Sequence, residues 1–385
     1  MDRNISLGNV GFFGSPHCFG AFTIISMDFR RRQKSLRELL VRHKVDALVV
    51  SHMPNVRYLS GFTGSAGVVL AASGQFVLFT DGRYAEQAAA QVDGVRLSIV
   101  KSGALAAAAE ASVKAGYKRI AIESDHLTVA QFRAIEESLG KGIKVVPLSG
   151  TVEELRAIKD ADEIEFVRNA VKLSSRLFRP LLRSLRPDAV ESAVAARLEY
   201  MARRAGAEGM SFETIVASGE RSALPHGVAS SAKLPASGFV VLDYGVVLDG
   251  YCSDMTRTVH LAKASAQARA LYIAVLEAQL AAISAVHPGG TAGEVDQAAR
   301  QELKRAKLDK HFTHSTGHGV GLEIHEFPRL AAGVDTVLLP GMVITIEPGI
   351  YLPGKCGIRI EDMLLVTERG YEVLTPVSKE LIELN

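Results

Sequence analysis

A chain of 385 residues, 48% of them hydrophobic, can bury a large core, and its length suggests about two domains. The 44 basic and 42 acidic residues balance, which argues against a nucleic-acid binder with its basic face, and no apolar run reaches the roughly 18 residues of a membrane-spanning helix. Cys18, Cys252 and Cys356 are too few and too scattered for a disulfide framework or zinc-finger spacing, so a reducing cytoplasmic setting fits best.

The first residues hold "GFFGSPHCFGAFTIIS", apolar but broken by Gly, Pro and His. With no basic start and no A-x-A-like site, this does not read as a secretory signal. Met27 opens "MDFRRRQKSLRELL", which runs straight into a helix. We therefore expect translation to start at Met27 and residues 1–26 to be an unstructured extension, which N-terminal sequencing of the native protein checks.

From 27 to 155 the pattern alternates. A helix over 31–43 leads to the apolar run "VDALVVS", then "AGVVLAA", "QFVLFTDGRY", a helical "YAEQAAAQ", "RIAIES", a helical "VAQFRAIEESL" and "IKVVPLS". Short apolar runs between helical segments predict an α/β domain with a covered sheet. "SGTVEELRAIKDADEIEFVRNA" predicts one long amphipathic helix to about residue 185. The second domain, 156–385, shows helical patterns at 188–205, 264–286 and 291–307. Hairpin-like stretches lie between and after them, which reads as α+β with helices on an antiparallel sheet.

Two hairpins carry acids. Asp243 and Asp254 are equidistant from a point between Leu248 and Asp249, and Glu347 and Glu361 from Gly354. Direct cross-strand partners have Cβ atoms roughly 5 Å apart, so such carboxylates must share a proton or a cation. Acids near turns are usually solvated, but Asp243 ends "GFVVLD" and Glu347 ends "MVITIE", both buried-looking strands. Together with His318 of "HSTGHGVGLEIHE" they form an oxygen-rich set suited to divalent Mn, Co, Fe or Zn, and to two ions better than one. A mononuclear zinc site on His314 and His318 needs a helix there, which Gly317, Gly319 and Gly321 disfavour. Arg359 alternates with Glu361 on one strand face and is expected to orient a metal-bound carboxylate, and Cys252 to pack as a small apolar residue. Asp81, Arg83 and Tyr84 read as a strand-ending turn, and His43, His52, His126, His260, His287 and His311 as packed or surface histidines.

The order Asp243, Asp254, His318, Glu347, Glu361 resembles the five-ligand pattern of the pita-bread metallopeptidases, which include methionine aminopeptidase, prolidase and aminopeptidase P. "SDMTRT", "TIEPGIY" and "GIRIEDMLLVT" carry the resemblance, and "YLSGFTGSAG" with "LFTDGRYAEQA" resembles the amino-terminal domain of the aminopeptidase P branch. The resemblance implies a creatinase/prolidase-like α/β domain followed by an α+β pita-bread catalytic domain. It implies two divalent ions, manganese first with cobalt, zinc or iron as alternatives, held by those five residues. It further implies that His226, His314 and His325 act as acid–base or hydrogen-bonding groups around the metals. The implied activity is removal of the residue before a proline in second position, by a metal-bridging hydroxide. Prolidase, acting on Xaa-Pro dipeptides, is the alternative, and a non-catalytic peptide-binding protein on the same fold a third reading. The implied partners are proline-second peptides and copies of the chain in a homodimer or homotetramer, with no nucleic acid and no membrane.

Overall fold

The computed structural model describes residues 27–384, so the expected extension at 1–26 lies outside the described residues. Six strands build the amino-terminal sheet: β1 (Ala47–Val50), β2 (Val68–Ala72), β3 (Phe76–Thr80), β4 (Arg96–Ile99), β5 (Arg119–Glu123) and β6 (Lys144–Leu148), in the order β4-β3-β2-β1-β5-β6. β1, β2 and β3 are buried along their whole length, which explains their unbroken apolar sequences. Helices α1 (Phe29–His43), α2 (Met53–Ser60), α3 (Ala85–Gln91) and α6 (Thr151–Ala157) contribute to the core on one face. α4 (Ala104–Lys114) and α5 (Val129–Leu139) contribute to the other. The sequence reading missed α2, α4 and β4. α4 is largely alanine and shows little contrast between faces, and β4 is an edge strand exposed at both ends.

The long helix predicted to about residue 185 is two helices, α6 and α7 (Ala161–Leu182). The break is a capping box. Asp160 leaves helical geometry and accepts the Glu163 amide at 2.9 Å, while the Glu163 side chain accepts the Asp160 amide at 3.1 Å. Arg32 of α1 clamps Asp160 at 2.8 Å, so the junction is pinned to the amino-terminal domain.

The carboxy-terminal half holds two larger sheets. β8 (Ile215–Ser218), β9 (Gly238–Tyr244), β12 (Met255–Leu261) and β20 (Glu383–Leu384) form one, ordered β20-β12-β9-β8, covered by α7 and α8 (Glu191–Arg204). β20 joins β12 in parallel, an exception to the antiparallel expectation. The second sheet takes β13 (Gly317–Gly319), β14 (Glu326–Leu330), β15 (Val343–Ile346), β18 (Asp362–Thr367) and β19 (Gly370–Val373), in the order β14-β13-β15-β18-β19. α9 (Ala266–Ser284) and α10 (Ala292–Arg305) pack against it. β7 (Gly209–Met210), β10 (Val246–Leu248) and β11 (Tyr251–Cys252) form a small sheet, and β16 (Gly349–Leu352) pairs with β17 (Cys356–Arg359). No helix among the described residues is long and apolar enough to cross a membrane.

The two acid-bearing hairpins form in different registers. Pairs Ile346–Asp362 and Gly349–Arg359 flank Glu347 and Glu361, which therefore face each other as the symmetry about Gly354 predicts. Asp243 instead faces Thr256, not Asp254. The turn residues are Asp249 and Gly250, both at positive φ, so the centre lies one residue later than expected and every partner moves by two. Asp254 becomes the diagonal neighbour of Asp243.

Behind the hairpins, Arg257 donates to Asp362 at 2.7 Å, with Lys379 and Gln279 completing the carboxylate at 2.7 and 2.9 Å. Arg257 and Asp362 are almost completely buried. Arg257→Met leaves Asp362 short of its main partner and is expected to cost about 3–5 kcal/mol. The check is the urea midpoint, which falls while the slope of the transition stays the same.

Candidate metal centre

Five strand ends converge on one cavity of about 560 Å³. Asp243 lies in β9, Asp254 just before β12, His318 in β13, Glu347 just after β15 and Glu361 just before β18. All five line that cavity. His318 sits on a strand rather than a helix because its glycine neighbours let three strands close in. A Cβ at Gly317 would lie 1.9 Å from the Thr345 carbonyl oxygen. His318 Nδ1 donates to the Gly319 carbonyl at 3.0 Å, which fixes the tautomer. Its Nε2 lone pair then faces Asp254 Oδ2 at 3.7 Å and Glu347 Oε1 at 3.6 Å.

The charges do not balance on their own. Burial, then Glu361 and Asp243, push the Asp254 carboxyl well above its usual range. Burial, then Glu361, does the same to Glu347. Burial, then Asp243, moves Glu361 up to about 8. Burial lowers His318 to about 4, so it is a neutral imidazole. Asp243 Oδ1, Asp254 Oδ1 and Glu361 Oε1 are buried without a hydrogen-bond partner among the described residues. Orphaned carboxylate oxygens around a neutral imidazole with a free lone pair are the donor set that divalent metal ions require.

Arg359 lies against one carboxylate of the set. Its guanidinium donates to Asp243 Oδ2 at 2.5 Å, not to Glu361. It reaches Glu361 only through Thr256, which accepts from Arg359 Nε at 3.1 Å and donates to Glu361 Oε2 at 2.8 Å. The side chain crosses between sheets to the carboxylate that the register shift left beside it. Arg359 also donates to the Tyr351 hydroxyl at 2.7 Å.

His314 is likewise held in a network. Its Nδ1 donates to the Ser315 carbonyl at 2.8 Å, so Nε2 accepts from the Tyr351 hydroxyl at 2.9 Å. Burial lowers it to about 4, and neither ring nitrogen is left free to exchange a proton. His226 and His325 are exposed on the cavity wall, and the His325 ring stands edge-on to His318 with centroids 4.4 Å apart. Thr256, Tyr351 and Arg329 were not singled out from sequence. Alternation of Asp254, Thr256 and Thr258 could have found the first. Arg329 is the cross-strand partner of His318, lines the cavity, is exposed, and has no carboxylate partner among the described residues.

Comparison with known proteins agrees with this geometry. The model of metallopeptidase family M24 matches residues 165–368, and that of the creatinase/prolidase N-terminal domain matches 32–158. An uncharacterised peptidase of Bacillus subtilis is 40% identical over 91% of this chain and 99% of its own. The structure of an Xaa-Pro dipeptidase from Bacillus anthracis superposes with a TM-score of 0.90 at 40% identity, covering 93% of this chain and 100% of that one. That of an X-Pro aminopeptidase from Thermotoga maritima gives 0.85 at 35% identity, covering 92% and 100%. The two sheets with their outer helices are thus the pita-bread fold, preceded by a creatinase/prolidase-type domain.

Proposed function

The chain belongs to metallopeptidase family M24, and from that premise we propose that it cleaves the Xaa-Pro bond of dipeptides with two divalent ions held by Asp243, Asp254, His318, Glu347 and Glu361. Manganese is the first choice for an oxygen-rich set of this kind, with cobalt, zinc and iron as alternatives. When bound, such ions polarise a carbonyl and lower the pKa of water to near neutrality. That suits a tertiary amide, which has no N–H for an enzyme to grip.

The chain's own residues supply the rest. Arg359 and Thr256 hold Asp243 and Glu361 in place. His226 and His325 reach into the cavity, where they donate to the carbonyl oxygen as it gains charge. Glu347 takes the proton from the attacking water and passes it to the proline nitrogen, since His314 has both nitrogens engaged.

The observation behind the dipeptide is Arg329. An unpaired guanidinium on the same sheet face as His318 is the partner that a free proline carboxylate needs. The amino-terminal motifs favour aminopeptidase P, whereas Arg329 and the resemblance to a dipeptidase support the dipeptide reading put first here. The aminopeptidase reading keeps the likeness to the T. maritima structure in its favour. Arg329→Gln decides between them. For a dipeptidase, KM for an Xaa-Pro dipeptide rises roughly 10- to 100-fold, the worth of one charged hydrogen bond, while an Xaa-Pro-Xaa tripeptide is affected much less. Equal, small effects on both peptides, with the tripeptide the better substrate, favour the aminopeptidase.

A further inference from the structure

Away from the five ligands, two histidines that sequence reading assigned to packing or surface meet at the domain junction. His52 caps the start of α2, His126 follows β5, and Glu153 lies in α6. Their donor atoms all lie within 4.8 Å of one another. The imidazoles stack face to face, centroids 3.6 Å apart and planes within 6°. His126 Nε2 is 2.8 Å from Glu153 Oε1. His52 Nε2 is buried without a proper hydrogen bond, although Glu323 Oε1 of the carboxy-terminal domain stands 3.0 Å away.

Charge sharpens the question. Glu323 faces His52 and Glu153 faces His126, while Arg156 is shared between Glu323 and Glu326 and Lys159 faces Glu326. Protonating both stacked rings would set like charges face to face. One dication held by a nitrogen of each ring supplies positive charge without that repulsion.

We propose that His52, His126 and Glu153 bind a zinc-type divalent cation, with Glu323 as a fourth ligand from the other domain. Imidazole-led sets of this kind select zinc over the harder ions that suit the oxygen-rich cavity. A metal replaces the proton of each N–H···O contact. Tetrahedral zinc holds neighbouring donors roughly 3.3 Å apart and takes each lone pair in its ring plane, so binding turns the two stacked rings out of parallel. The site is structural in consequence. Glu323 opens the segment that carries Ile324, His325 and Glu326 into the wall of the cavity, so the ion ties that wall to the amino-terminal domain.

The test is metal content together with the cobalt spectrum, neither of which depends on turnover. Wild-type protein dialysed against zinc should retain one more equivalent per chain than His126→Asn. With cobalt it should show the strong visible bands of a tetrahedral site, absent from the variant. Glu153→Gln serves as the second variant should His126→Asn misfold. Asp254→Asn/Glu361→Gln, which removes two of the five cavity ligands, should keep the extra zinc and the cobalt bands. Equal zinc content in wild type and both junction variants, or loss of the bands in Asp254→Asn/Glu361→Gln, overturns the proposal.

Discussion

Asp254→Asn is expected to abolish metal-dependent hydrolysis and, at the same time, to make the metal-free protein more stable. The two effects have one cause. Asp254 is buried among Glu361, Asp243 and Glu347, and one of its oxygens has no hydrogen-bond partner among the described residues. As a proposed ligand, its loss should cost more than the roughly 10- to 100-fold that removing an outer partner costs. Without metal it is a source of like-charge repulsion that the amide lacks. Each kcal/mol relieved should raise the melting temperature by about 2–4 °C or less for a chain of this size. A calorimetric scan of stripped protein, paired with turnover at defined metal content, reads both. Wild-type turnover in the variant would remove the metal centre from the account. A metal-free variant that melts lower than wild type would show that Asp254 is held by something other than a cation.

Metal-free wild-type protein should lose stability as pH rises from about 5 to about 8, and added metal should reverse the loss. Glu361 titrates near 8 when folded, because it is buried beside Asp243, and Asp254 and Glu347 are also raised. An acid with a raised folded pKa holds its proton in the native state after the unfolded chain has released it. The native state then binds more protons than the unfolded state, so the unfolding free energy falls with pH across that window. Its stabilisation is complete below the unfolded pKa and is lost as pH approaches the folded one. For Glu361 alone the span is on the order of 3 kcal/mol. Divalent ions compete with those protons, so binding should release protons and tighten with pH. Chemical denaturation of stripped and loaded protein across the range checks this. A stripped protein whose stability is flat or rises would mean that the carboxylates are not crowded as described.

The parts of the site legible in sequence were those whose signal is local. A carboxylate at the end of an apolar strand is conspicuous, and four of them with His318 come in a recognisable order because the strands that carry them end at one cavity. The Glu347–Glu361 pairing was readable because its hairpin is symmetric about Gly354. The Asp243–Asp254 pairing was misread because Asp249 and Gly250 both take positive φ and move the turn. Contacts between sheets left no periodic trace. Which carboxylate Arg359 holds is therefore not legible from its strand: it is Asp243, across the sheets. His52, His126 and Glu153 are far apart in the chain and come together only when β5 and α6 pack beside α2. The α6–α7 break was hidden because Asp160 and Glu163 look like ordinary helix-surface charges until their side chains are seen to cap the backbone.

The most direct measurement is hydrolysis of an Xaa-Pro dipeptide by protein stripped of metal and then reloaded separately with manganese, cobalt and zinc. The predicted result is no cleavage when stripped, cleavage restored by at least one ion, and the dipeptide turned over faster than the matching Xaa-Pro-Xaa tripeptide. Cleavage that persists without metal, or no cleavage of either peptide with any of the three ions, would contradict the account.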